Sequence, residues 1–154
     1  MSLIDVLLPP RCEYCRVKGA AVCAACAGDL PWERETHLTR VEDADHTFAA
    51  FRLQAPVQAQ IHALKYHAQF RHARLLGELM AQKIAARAEP LPQILIPVPL
   101  HAMRLRLRGY NQSLEIARGL VRVLNLTIDT KTARRVLATE DQLGQSAAER
   151  PRNV

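Results

Sequence analysis

Ile94-Leu95-Ile96-Pro97-Val98-Pro99-Leu100-His101, with Arg108-Gly109-Tyr110-Asn111-Gln112 just after it, is the stretch on which the fold turns. A short β-branched run closed by prolines reads as a buried parallel strand that runs into a loop. Beyond Gly109 a helix begins near Asn111, because Leu114, Ala117, Leu120, Val121 and Leu124 recur at helical spacing. The strand Ile94–Val98 is expected at the centre of its sheet, with this helix covering one face. Ligands of open α/β sheets bind at the carboxyl ends of strands, and free amides at a helix start favour anions. Arg104, Arg106 and Arg108 are two residues apart, so in an extended loop their side chains share one side. Two guanidinium groups could then hold one diphosphate. A solvated basic loop with an N-capping Asn fits the same residues, and the spacing alone leaves both open.

Upstream, Phe48 to Leu53 reads as a short strand. Val57, Ile61 and Leu64 mark one helix, and Leu75, Leu76, Leu79, Met80 and Ile84 mark a second, which Pro90 and Pro92 end. Downstream, short strands are expected around Thr127–Ile128 and Ala133–Leu137. Strands alternating with helices argue for an α/β sheet with crossover connections. Residues 139–154 are polar and read as a long loop, which in a compact domain is functional or disordered.

All four cysteines fall within residues 1–30, as Cys12, Cys15, Cys23 and Cys26, spaced C-x2-C-x7-C-x2-C. Two such pairs suit two knuckles that complete a tetrahedral four-thiolate Zn2+ site, with no position left open for catalysis. A disulfide, a redox C-x-x-C and an iron–sulfur site are the alternatives. A reducing compartment disfavours the disulfide, and no thioredoxin-like βαβ pattern surrounds the pairs. The segment is too short to build a core, so a metal would supply its folding energy. This gives three zones: a metal module at 1–30, a linker at 31–47 and an α/β unit at 48–154. Trp32 is expected to pack the module against that unit. His62, His67, His72 and His101 read as surface residues, since five-residue spacings do not share a helix face.

Apolar residues make up 49% of the 154-residue chain and aromatics 5%, so its core is aliphatic rather than aromatic. The formal net charge is +6. From His101 to Val154 ten arginines and lysines face five acids. Such a surface favours polyanions: nucleic acid, phosphate esters or pyrophosphate. No stretch approaches a membrane span, and the first ten residues lack the basic start of a signal peptide. The cytoplasm and no membrane insertion are therefore expected.

Leu64-Lys65-Tyr66, Pro97 to His101, Arg108 to Gln112, Ile116-Ala117-Arg118, Gln142 to Ser146 and Glu149 to Val154 together resemble the ComF family. So does the cysteine-rich start after Leu7-Leu8-Pro9-Pro10. The resemblance implies a double zinc ribbon type of module before a type I phosphoribosyltransferase-like, three-layer α/β domain. It implies a part in competence and DNA uptake. Pro97, Val98, Pro99, Leu100 and His101, with Arg104 and Arg108, would correspond to the pyrophosphate loop. Gln142, Gly144, Ser146, Arg150 and Asn153 would belong to a flexible loop over the substrate. The family's acidic-pair motif, V-D-D-V-x-T-T-G, does not occur up to Val154; Glu140-Asp141 lacks the strand and glycine turn. On this reading the domain is partial and the chain as given lacks catalytic residues. Binding of phosphoribosyl pyrophosphate with Mg2+ would need the missing segment. The rival expectation is a zinc-dependent module that binds single-stranded DNA or a competence protein.

Overall fold

A computed structural model of the chain describes residues 11–33, 47–66, 70–86 and 91–138. The flexible-loop residues Gln142, Gly144, Ser146, Arg150 and Asn153, and also His67, lie outside the described residues. The elements in order are α1 (Ala24–Gly28), α2 (Val57–Tyr66), α3 (Phe70–Ala85), β1 (Ile94–Leu95), α4 (Ala102–Arg108), α5 (Gln112–Leu120) and β2 (Thr127–Ile128). It is a mixed helix and strand fold with the cysteines near its N-terminus. β1 and β2 pair in parallel, Ile94 with Thr127 and Leu95 with Ile128. Parallel partners need a crossover connection, and α4 and α5 supply it.

α2, α3 and α5 lie where the apolar spacing predicts. α2 buries Val57 and Leu64, and α3 buries Ala73, Leu76, Leu79 and Ala81. All but Ala81 meet Leu30 in one cluster, while Leu120 and Leu124 join Ala81, Leu95 and Leu126 in a second. α3 and α5 cross with their backbones in close approach, and glycine permits it. A Cβ on Gly77 would overlap the Ile116 carbonyl oxygen, and one on Gly119 would overlap the Arg74 carbonyl oxygen. The backbones touch where no side chain fits.

Three strand expectations are corrected. Phe48 to Leu53 contributes only an isolated bridge, Trp32 to Phe51, and residues 133–137 form no strand. The strand expected over Ile94–Val98 is assigned at Ile94–Leu95 alone, and within the described residues its sheet has two strands. Leu95 turns toward the helices, yet Ile94, Ile96 and Val98 are 55%, 47% and 65% exposed. Their alternation is that of a strand covered on one side only. A central strand needs a neighbour on each edge, and among the described residues β1 pairs with β2 alone.

Trp32 makes the predicted connection. Its indole Nε1 donates to the Ala27 carbonyl at 2.8 Å, and its ring stacks on Phe51 with centroids 4.6 Å apart. The Lys83 ammonium of α3 lies 5.5 Å from the same ring, within cation–π range. His62 is exposed, but His72 is not the surface residue the sequence suggests. It is largely buried, with Nε2 3.4 Å from the Glu13 carboxylate, so it joins α3 to the cysteine segment.

Candidate metal centre and anion loop

Cys12, Cys15, Cys23 and Cys26 converge. Their sulfurs all lie within 4.8 Å of one another, and Cys15 and Cys23 are 3.6 Å apart. A tetrahedron with metal–sulfur bonds of about 2.3 Å has edges of roughly 3.8 Å. The donor set therefore fits a single four-coordinate ion, and no disulfide competes for it.

Local backbone explains the convergence. In the first knuckle the Arg16 amide donates to the Cys12 carbonyl at 2.9 Å, and the Cys12 amide to the Val17 carbonyl at 2.8 Å. Arg16 takes the left-handed conformation, φ 64°, which tightens the turn just past Cys15. The second knuckle is helical: Cys23 caps α1 and Cys26 lies within its first turn. Backbone amides, that of Cys15 foremost and then those of Cys23 and Tyr14, draw the Cys12 thiol down to about 6 against the effect of burial. The neighbouring thiols of Cys15 and Cys23, and then burial, push Cys26 up to about 12. Four thiolates this close would repel one another; without a metal, protons such as the one Cys26 keeps relieve that repulsion, and a bound cation would relieve it with all four ionised.

The anion-loop residues occupy the turn between β1 and α4. Pro97 to Leu100 run out of the strand, and His101 caps α4, its Nδ1 accepting from the Met103 amide at 3.4 Å. Gly109, at φ 79°, closes the helix in the left-handed conformation. Arg104, Arg106 and Arg108 thus lie on a helix, not in an extended loop. At 3.6 residues per turn Arg104 and Arg108 share a face and Arg106 does not, so the three do not point one way. The alternating Arg-Leu pattern imitates a strand, but the caps decide otherwise. Arg108 donates to the Gln112 side chain at 2.7 Å.

Asn111 is the pivot. Its Oδ1 accepts from the amides of Ser113 at 2.9 Å and Leu114 at 3.4 Å, and its Nδ2 donates to the Val98 carbonyl at 3.0 Å. One side chain both caps α5 and ties the loop to it. Replacing Asn111 by Ala is expected to cost about 1–2 kcal/mol in urea unfolding; Asn111→Ser, which restores the cap alone, should recover only part of the loss.

Between this loop, α5 and the segment after β2 lies a groove of about 570 Å³. Pro97, Pro99, Leu105 and Leu114 give it apolar walls, and Arg118, Arg134 and Arg135 give it charge. Asp129 shapes one wall by accepting from the Lys131 amide at 2.7 Å and the Thr132 amide at 3.1 Å. The Thr132 hydroxyl first, then these amides, hold the Asp129 carboxyl below its usual range. Glu115 lines the groove too. It is buried and accepts from Arg74 at 2.8 Å and from Arg118. Sequence reading missed Glu115; the signal was a carboxylate within an apolar helical pattern, three residues before an arginine.

Curated proteins with similar sequences bear on these sites. The chain is 31% identical to the DNA utilization protein YhgH of Salmonella typhi, and 30% to that of Salmonella typhimurium, in each case over 97% of its own length. It is 29% identical to Competence protein F of Haemophilus influenzae over 93% of its length. It spans 63% of the length of the two DNA utilization proteins and 66% of Competence protein F. No protein-family model matches the chain, and no solved structure does. The chain is thus similar over nearly its whole length to proteins named for DNA utilization and competence.

Proposed function

We propose that this chain serves in the use of incoming DNA, and that it does so by holding phosphate on its basic later part. The similarity over 97% of the chain to proteins named for DNA utilization carries this reading. Charge supports it, since ten of the cationic side chains follow residue 100. The four-cysteine site holds Zn2+ in a structural role, as closed sulfur coordination suits that ion. Residues 1–30 then form the zinc module and residues 48–154 the phosphoribosyltransferase-like unit, working in the cytoplasm, where no membrane helix is needed; none of the described helices is long and apolar enough to cross a bilayer.

Binding of a short oligothymidylate should weaken linearly in log–log form as salt rises. Each neutralised phosphate of a single strand adds about −0.7 to the slope, so two to four contacts give roughly −1.4 to −2.8. Absence of binding at low salt would sink the proposal. A second reading, transfer chemistry on phosphoribosyl pyrophosphate with Mg2+, is favoured by one observation: the Pro97–His101 turn leaves the carboxyl end of a parallel strand with Arg104 and Arg108 on one face of the helix that follows. Pyrophosphate release in the same preparation, without a salt slope for DNA, would select that reading.

A further inference from the structure

We infer that the groove between α4, α5 and the segment after β2 is a subsite for one nucleotide unit of single-stranded DNA, which takes the base as well as the phosphate. This rests on the DNA-binding reading and goes further, since phosphate contacts anywhere on the basic surface would satisfy that reading.

The groove's composition separates a nucleotide from a bare anion. Pyrophosphate and free phosphate are strongly hydrated and gain nothing from apolar walls. Here Pro97, Pro99, Leu105 and Leu114 form such walls, and the Tyr110 ring adds to them. The phenol of Tyr110 donates to the Leu64 carbonyl, which anchors the ring. A flat heterocycle suits these walls, and stacking on the one aromatic among them, Tyr110, would tolerate any sequence. The volume, about 570 Å³, falls within the range of small-molecule clefts and exceeds what an inorganic anion fills.

The charged groups supply the other half of the ligand. Arg118 comes from α5, and Arg134 comes from the opposite wall. Arg118 engages Glu115 through Nη1, and a guanidinium carries several further donors. Arg74 also satisfies Glu115, so that carboxylate stays paired when Arg118 turns toward a phosphate. With three arginines against one paired acid, the lining is cationic.

Two probes with equal phosphate number test the inference: labelled oligothymidylate and an abasic strand of the same length, read by fluorescence anisotropy. The full chain should prefer the thymidylate strand about tenfold, the lower part of the range for stacking one base. Leu105→Gln keeps the charge and alters a position that is 42% exposed, so folding should survive; it should abolish the preference while abasic binding stays unchanged. Arg134→Gln, at an exposed site, should weaken both probes alike. Equal affinity of the unaltered chain for the two strands would overturn the subsite and leave the DNA reading standing. Binding of neither would overturn both. A preference that survives Leu105→Gln would place the base elsewhere and also overturn it. Displacement of the strand by thymidine 5′-monophosphate at equal nucleotide concentration would make the ligand a free nucleotide and overturn the strand assignment.

Discussion

Gly77→Ala should lower the free energy of unfolding by about 3 kcal/mol or more, and Gly119→Ala should do the same. The sign is opposite to helix propensity, which favours Ala over Gly by about 1 kcal/mol in a helix interior. Space decides it. The new methyl at position 77 would overlap the Ile116 carbonyl oxygen and come within 2.9 Å of the Gly119 Cα and the Leu120 amide nitrogen. All three are backbone atoms, so no rotamer change relieves the overlap, and α3 and α5 must separate. That separation reaches Leu76, Leu79 and Ala81 on one helix and Ala117 and Leu120 on the other, all buried. It also strains the pair that staples these helices, Arg74 to Glu115, and the 2.7 Å pair from Glu78 to Arg122 just past the end of α5. Gly28→Ala is the control. Nothing lies within 4 Å of its added methyl, so it should be neutral or slightly stabilising. Urea unfolding followed by helix signal measures all three, and wild-type stability of Gly77→Ala would refute the close crossing.

These glycines also mark a boundary of sequence reading. Both stand inside apolar helical patterns, where an isolated glycine signals a packing reason, yet nothing in the chain says which two glycines face each other. The periodic positions were legible because burial on one helix face leaves a spacing of three and four. Val57 and Leu64, Leu76 and Leu79, and Ala117, Leu120 and Leu124 are all buried as that spacing implies. The cysteine cluster was legible because two C-x2-C pairs so close in sequence suit one four-coordinate ion. Asn111 could be placed because a side-chain acceptor before an apolar run is a helix start. The arginine segment misled, since Arg-Leu-Arg-Leu-Arg has the period of a strand, and two end effects, His101 and Gly109, override the period. The apolar run at 94–98 misled differently. β-branched residues announce a strand, but how many neighbours it has depends on residues far away in sequence. The second partner of Glu115 was invisible for the same reason, because Arg74 is 41 positions away.

Removing the metal from zinc-loaded protein should unfold the cysteine segment and loosen α2 and α3 with it. Residues 11–30 have little core of their own: α1 buries none of its residues, and only Cys12 and Leu30 are buried in the segment. What holds them must be the site, whose apparent contribution in zinc-finger peptides is about 10–16 kcal/mol at neutral pH. The loss spreads because Tyr14, Val22 and Trp32 pack on the cluster formed by Leu30, Val57, Leu64 and Leu76. A chelator should therefore lower the melting temperature of the whole cooperative unit, not merely release an ion. Cys12→Ala should cost more affinity than the roughly 10–100-fold typical of groups outside the ligand shell, since it removes a ligand and the acceptor for the Cys23 amide. The pH sign follows from the thiols. Without metal Cys26 stands above its ordinary value, whereas bound metal would hold all four as thiolates, so in the loaded protein their folded values lie below the unfolded value of about 8.5. The stabilisation is then fully present above the unfolded value and is lost as pH falls through the folded values. Metal content by elemental analysis, and melting with and without chelator from pH 8 down to pH 5, check this together. An unchanged melt after chelation, or protein purified without chelator that carries no metal, would overturn the structural role of the site.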